Sequence, residues 1–266
     1  METINCSSWE DFEGKVSAIL QDQEKKRTEP NAYISEPLFR GQGNAKDWKL
    51  ETTLKRFGKP NFKMEDYHHI LESLIPAVTS LTHQNWESEN FHPNNITPSV
   101  PPNYPFMVYL RHHGFPSPLL DWTRSPYVAA FFAFRSKLKP SDEKATIFAF
   151  IEMPEGEKDD SGNGGSIVGL GPNIVTDPRH DTQQAEYTIC KKRVQKNHFV
   201  YCPHEEAFTQ NTKSQDQLTK FILPKSERTK VLEKLNLMNV NAYSLFGNEK
   251  GLMETLAYKE IEKEYP

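Results

Sequence analysis

The segment from 110 to 134 places chemically capable side chains in an apolar setting. It carries two histidines, an aspartate, a threonine and two arginines among apolar residues. An unpaired polar group in a protein core costs about 1–3 kcal/mol, so these groups either satisfy one another or face a pocket where a ligand satisfies them. His112 titrates near neutrality and could move a proton or position a hydroxyl. Asp121 could orient His112 or pair with Arg40.

A second cluster, Phe39-Arg40-Gly41-Gln42, sets a guanidinium beside a glycine. Arginine offers a planar fork of donors that suits phosphate, and glycine lets a flat ligand approach the backbone closely. The alternative is a turn in which Arg40 pairs with a carboxylate. For both clusters, a ligand site and a purely internal network remain open at this stage.

Three later residues are weaker candidates. Gln195 could point its amide into a cleft and hold a ribose hydroxyl or an amide, but it cannot act as a general base. Glu205 and Glu206 are the nearest carboxylates that could supply acid–base chemistry, or they are simply solvated. We expect no metal site, because neither the paired histidines at 68–69 nor the three cysteines show metal-ligand spacing.

Composition narrows the protein class. The net charge of −4 argues against a uniformly basic nucleic-acid-binding surface, although the basic run at 191–193 favours nucleic acid locally. No apolar run reaches the roughly 18 residues of a membrane span, and the first residues lack the pattern of a signal peptide. Three cysteines without a pairing framework suit a reducing compartment. We therefore expect a cytoplasmic protein with no membrane contact.

Hydrophobic periodicity and turn residues predict one α+β domain. Ser125 and Pro126 are expected to cap and begin a deeply buried helix. Further helices are predicted near 9–20, 64–85, 106–113 and 226–238, and strands near 32–41, 119–123, 145–153, 193–201 and 218–223.

These clusters resemble the FRG-domain family, named for its Phe-Arg-Gly motif. LFRGQGNAKDWKLETTLKR at 38–56 is similar to the opening motif of the family. HHGFPSPLLDWTRSPYVAAFFA at 112–133 is similar to its central motif, with Ser117 where threonine is usual. RVQKNHFVY at 193–201 resembles a third motif, with Asn197 in place of the usual glycine.

The closing motif of that family resembles LFGNEKGL at 245–252. The resemblance implies an N-terminal helical extension over 1–34, an FRG domain over 35–255 and a C-terminal tail over 256–266.

The order of the motifs also resembles that of ADP-ribosyltransferases. This more distant likeness implies a single domain with a central split, mostly antiparallel sheet flanked by helices. It further implies that NAD is a substrate and that no metal is used. The implied NAD-binding residues are Phe39, Arg40, Gly41, Gln42, Trp122 and Thr123. The implied catalytic residues are Arg40, His112, Asp121, Thr123 and Gln195.

The resemblance implies an NAD-dependent ADP-ribosyltransferase that displaces nicotinamide through an oxocarbenium-like state. Such a protein would be a toxin or phage-defence effector that modifies nucleic acid (RNA or DNA) or protein, with an antitoxin or chaperone as its partner. The alternative is a non-catalytic module that binds a nucleotide or a partner protein. A hydrolase built on His112 and Asp121 would instead need Ser117 or Thr123 as its nucleophile.

Overall fold

The computed structural model describes residues 1–28, 35–46, 49–86, 89, 100–136, 143–154, 164–195, 198–208 and 216–263. In that part of the chain, nine strands form a single open sheet with helices around it. All strand pairs are antiparallel except one, which joins Glu2–Asn5 to Gln217–Pro224. The expectation of a mixed helix-and-sheet protein with a mostly antiparallel sheet is therefore confirmed.

The elements have the following bounds. The strands are β1 Glu2–Asn5, β2 Leu38–Gln42, β3 Phe62–Lys63, β4 Leu120–Thr123, β5 Lys144–Ile151, β6 Ser166–Gly169, β7 Ala185–Gln195, β8 His198–Tyr201 and β9 Gln217–Pro224. The helices are α1 Trp9–Arg27, α2 Thr53–Arg56, α3 Met64–Thr82, α4 Tyr104–His112, α5 Pro126–Phe134, α6 Arg179–Thr182, α7 Arg228–Leu237, α8 Ala242–Phe246 and α9 Glu249–Ala257. The strand order is β1-β9-β5-β2-β4-β7-β8-β3, with β6 paired to β7.

The N-terminal segment belongs to the main sheet. Strand β1 lies parallel to β9, and α1 buries Trp9, Phe12 and Val16 in a core shared with α5, β5 and β9. The helix cap is Ser8, whose Oγ accepts a hydrogen bond from the Asp11 amide at 3.2 Å. The predicted extension thus adds a strand and core side chains as well as a helix, while its last residues, 29–34, lie outside the described residues.

Helix α5 fixes the middle of the sheet. Ser125 Oγ accepts a hydrogen bond from the Val128 amide at 3.3 Å and Pro126 is the first helical residue, which confirms the predicted start. The helix packs on β2 so tightly that a Cβ placed on Gly41 would lie 1.8 Å from the Ala129 carbonyl oxygen and 2.7 Å from the Ala133 amide nitrogen. Glycine is therefore required at 41 for the close approach of this helix. Contact between Gly41 and a bound ligand stays a prediction, since Gly41 also lines the cleft described below.

Strands β2 and β4 meet at the centre of the sheet through one registered pair within the described residues, Phe39 with Thr123. Beyond that pair the guanidinium of Arg40 reaches across to β4, where Nη1 donates to the Asp121 carbonyl oxygen at 2.7 Å. Strand β4 then pairs with β7 over four residues. This arrangement brings side chains from three strands to the same place.

Two buried histidines predict that the protein loses stability in mild acid. Burial lowers the pKa of His68 to about 4 and that of His204 to about 3, and the charge of Arg40 adds to the effect on His204. Both imidazoles hydrogen bond to hydroxyl groups, His68 with Tyr201 at 3.1 Å and His204 with Thr188 at 2.8 Å. In the unfolded chain each histidine binds a proton near pH 6.5, whereas in the folded protein each stays neutral to much lower pH.

The stabilisation from these neutral forms is complete above pH 6.5 and is lost as the pH falls towards 4. At pH 5 we expect the two together to lower the free energy of unfolding by about 4 kcal/mol relative to pH 7. Urea denaturation at both pH values measures this loss. His204→Gln should remove about half of it, and the control His69→Gln, at a side chain that is 66% exposed, should remove none. An equal loss of unfolding free energy in wild type and both variants would contradict the assignment of this loss to the buried histidines.

Among the described residues, no helix has both the length and the apolar character needed to cross a membrane.

Candidate functional site

A cleft of about 310 Å³ opens where β2, β4 and β7 meet. Its walls also include residues from α4, from the segments that end α5 and α6, and from α8. Seven of the nine residues predicted to form a site line it, although they come from segments about 80 positions apart. These seven are Phe39, Arg40, Gly41, His112, Asp121, Trp122 and Thr123.

The two most buried arginines of the cleft, Arg40 and Arg111, flank Asp121, and the part of the cleft around them is called here its inner end. Arg111 Nη2 lies 2.5 Å from Asp121 Oδ2, and Arg40 Nη1 lies 3.6 Å from the same oxygen. Burial lowers the pKa of Arg40, and the negative charge of Asp121 opposes that shift. Of the two roles considered for Asp121, the structure supports pairing with arginine. The closer partner is Arg111.

His112 pairs with a tyrosine. Its Nε2 lies 2.7 Å from the hydroxyl of Tyr187, which projects from β7. Burial lowers the pKa of His112 and raises that of Tyr187. At neutral pH the pair is therefore uncharged, and it offers a hydrogen-bonding edge rather than a charged acid or base.

Two further arginines line the cleft, Arg135 and Arg179, and each has its own carboxylate. They are more exposed than Arg40 and Arg111 and are called here the outer arginines. Arg135 donates from Nε and Nη2 to the two carboxylate oxygens of Glu254, at 2.5 and 2.6 Å. Arg179 does the same to Asp177, at 2.9 and 2.8 Å. These hydrogen bonds from Arg179 hold the pKa of Asp177 down to about 2. Both outer arginines are therefore neutralised within the protein.

Aromatic residues also border the cleft. They are Phe39, Trp122, Phe132, Tyr187 and Phe246. Phe39, Trp122 and Tyr187 are at most 3% exposed, so only the half-buried Phe132 and Phe246 offer ring surface to a ligand. The guanidinium of Arg135 lies 4.5 Å from the centre of the Phe246 ring, which fixes both side chains.

Two of the lining residues that were expected to contact ligand are committed to the fold. Thr123 Oγ1 donates to the Gln183 carbonyl oxygen at 2.7 Å and accepts from the Ser125 amide at 3.1 Å. The indole nitrogen of Trp122 donates to Thr188 Oγ1 at 2.8 Å. Their polar atoms shape the start of α5 and the floor of the cleft.

Gln42 and Gln195 do not line the cleft. Gln42 is buried and donates to the Lys49 carbonyl oxygen. Gln195 is exposed at the far end of β7, where it pairs with His198 in a hairpin. At about 3.3 Å per residue, it lies roughly 25 Å beyond Tyr187. The structure therefore does not bring Gln195 into the cleft. Asn197 lies outside the described residues.

The two glutamates considered as acid–base groups also lie elsewhere. Glu205 is exposed, and Glu206 accepts a hydrogen bond from Lys192 at 2.7 Å; neither lines the cleft. Within the described ranges, no group of three or more His, Cys, Asp or Glu side chains is arranged to hold a metal ion.

Several lining residues escaped sequence reasoning. Arg111 directly precedes His112, a predicted site residue, so its position in the sequence could have indicated it. Tyr187, Arg179 and Arg135 lie in segments without a motif, and only the sheet and the helix ends bring them to the cleft.

The comparisons with known proteins gave one match. The family model of the FRG domain matches residues 35–142, a range that contains β2, α4, β4 and α5. No curated protein matches the chain, and no solved structure does either.

Proposed function

Because residues 35–142 match the FRG domain, we propose that the cleft binds NAD and that the protein transfers ADP-ribose from it. One observation carries the proposal. Arg40, His112, Asp121 and Thr123, which the ADP-ribosyltransferase resemblance singles out, lie together in one cleft lined by arginines and aromatic rings.

The cleft suits the chemistry of a dinucleotide. Arg40 and Arg111 offer two guanidinium groups to a diphosphate, and arginine forks match phosphate oxygens in geometry and charge. The half-buried rings of Phe132 and Phe246 offer apolar surface to a flat ring of the ligand. The uncharged pair of His112 and Tyr187 can hydrogen bond to a ribose hydroxyl or to the carboxamide of nicotinamide.

The proposed reaction breaks one bond and forms one. The bond between the anomeric carbon of ribose and the nicotinamide nitrogen breaks, and its electron pair leaves with neutral nicotinamide. A nucleophile of the acceptor then bonds to the anomeric carbon and gives up its proton. The transition state resembles an oxocarbenium ion, so electrostatic support matters more than a strong base. Asp121 is the carboxylate that lines the cleft and could provide that support.

The acceptor in this proposal is either nucleic acid or protein. The basic run at 191–193, which favoured nucleic acid, lies on β7 away from the cleft. Lys191 is buried, Lys192 is paired with Glu206, and only Arg193 is exposed. An enzyme that consumes NAD inside its own cell would need restraint, so we also propose an antitoxin or chaperone as partner, in keeping with a toxin or defence effector.

One observation favours the rival function, a non-catalytic nucleotide-binding module. Asp121 is engaged by Arg111, and neither Gln195 nor the two glutamates at 205 and 206 reaches the cleft. A site that only binds a nucleotide does not require a free carboxylate, so these contacts suit binding without catalysis.

Isotope-labelled NAD separates these two functions. The purified protein is incubated with NAD labelled in the adenine ring, together with RNA, DNA or a protein extract, and the label is followed. Label joined covalently to one acceptor class supports the transferase and identifies that class. If the protein binds NAD but all the label stays in intact NAD, the transferase function is rejected and the binding-module function is supported.

A further inference from the structure

The inner end of the cleft has more positive than negative charge. Arg40, from β2, and Arg111, from α4, both approach the single carboxylate of Asp121. Two guanidinium charges and one carboxylate leave one positive charge in excess. Each arginine side chain is 16% exposed, so this charge is poorly screened by water.

Most of the donor capacity of these two arginines is unused. A guanidinium has five N–H donors. Within the described residues, Arg40 makes one hydrogen bond, to the Asp121 carbonyl oxygen, and Arg111 makes one, to the Asp121 carboxylate. The Nε of each has no hydrogen-bond partner there. The inner arginines are therefore under-bonded for their burial.

The outer arginines provide the comparison. Arg135 and Arg179 each make a two-pronged contact with a carboxylate of their own. An incoming anion would have to break a complete ion pair to bind either of them. At the inner end it would instead meet open donors and an excess charge.

We propose that Arg40 and Arg111 form a two-armed diphosphate site, and that the Asp121 carboxylate is its resident anion, displaced from Arg111 when a diphosphate enters. This inference takes the ligand class from the proposed function, but the site itself stands on its own geometry. A diphosphate carries more negative charge than a carboxylate and can engage both forks at once. The Asp121 side chain is 35% exposed, so it can turn towards water when the donors are taken.

The test measures ADP binding by calorimetry at low and high salt, with adenosine as the ligand that lacks phosphate. Wild-type protein should bind ADP, more weakly at high salt, and bind adenosine poorly. Arg111→Gln should weaken ADP binding by about tenfold or more, because one arm is lost. Asp121→Asn should strengthen it by about tenfold, because the competing charge is gone. Loss of structure cannot produce a gain in affinity, so this second variant guards against a folding defect.

The double variant completes the cycle. If Asp121 competes through Arg111, the gain from Asp121→Asn should shrink in the Arg111→Gln background. A matched control is Arg124→Gln, at an exposed arginine next to β4 that does not line the cleft, and it should leave ADP affinity unchanged. Unchanged or weaker binding by Asp121→Asn overturns the displacement, and unchanged binding by Arg111→Gln overturns the second arm.

The experiments distinguish rejection of the diphosphate site from rejection of the transferase function. ADP binding that follows these variants, without any cleavage of NAD, supports the diphosphate site and rejects the enzyme. NAD cleavage with no effect of Arg111→Gln on ADP binding rejects the diphosphate site alone.

Discussion

Replacing Gly41 with alanine is expected to prevent folding or to lower the free energy of unfolding by about 4 kcal/mol or more. The added Cβ would lie 1.8 Å from the Ala129 carbonyl oxygen and 2.7 Å from the Ala133 amide nitrogen. Both are backbone atoms of a buried helix and cannot swing aside. Relief would require α5 to lift off β2, which would open the core that holds Phe39 and Phe134.

Urea denaturation followed by circular dichroism measures this effect. Gly14→Ala is the matched control, since it lies within α1 and a Cβ there meets nothing within 4 Å. That change should stabilise the protein by about 0.5–1 kcal/mol through helix propensity. A stable Gly41→Ala protein that has lost only NAD binding would contradict the packing role and restore contact with ligand as the reason for glycine.

Replacing Arg40 with glutamine is expected to reduce nicotinamide release from NAD by about 100-fold or more, since a charged contact to the diphosphate is lost. The fold should survive. Asp121 keeps its ion pair with Arg111 at 2.5 Å, so no carboxylate is left unpaired. The stability cost should stay near the value of one hydrogen bond, about 1–2 kcal/mol.

Nicotinamide release and thermal unfolding should be measured together for Arg40→Gln, Arg40→Lys and the control Arg124→Gln. The lysine variant keeps the charge but loses the fork, so it should fall between wild type and glutamine. The control should match wild type in nicotinamide release, and any loss of stability it shows reports the ion pair between Arg124 and the partly buried Glu186. A large loss of stability with normal turnover per folded molecule would mean that Arg40 serves the fold and not the reaction.

Local signals in the sequence account for the central part of the site. Ser125 and Pro126 mark the start of α5 because capping and proline geometry act over a few residues. The polar residues within the apolar segment 110–134 do meet in a cleft, because burial of such groups requires partners. The interpretation of Asp121 as a partner of arginine followed from charge alone, and the structure adds Arg111 as the nearer partner.

The rest of the site depends on long-range pairing that has no local signal. Strand β7 begins at Ala185, whereas the sequence pattern predicted a strand only from 193. The predicted stretch 193–201 covers the end of β7 and the paired strand β8. The end of β7 places Gln195 away from the cleft, whereas Tyr187, near the start of β7, lies in it. Gly41 was interpreted through its permissive backbone, but its role comes from a helix about 90 residues later in the chain.

A structure with carba-NAD, in which the bond to nicotinamide cannot be cleaved, would show directly how a dinucleotide binds. We expect its diphosphate within hydrogen-bonding distance of Arg40 and Arg111, with Asp121 turned away from Arg111 and a flat ring against Phe132 or Phe246. A dinucleotide bound outside this cleft, or no binding at millimolar concentration to folded protein, would contradict this expectation.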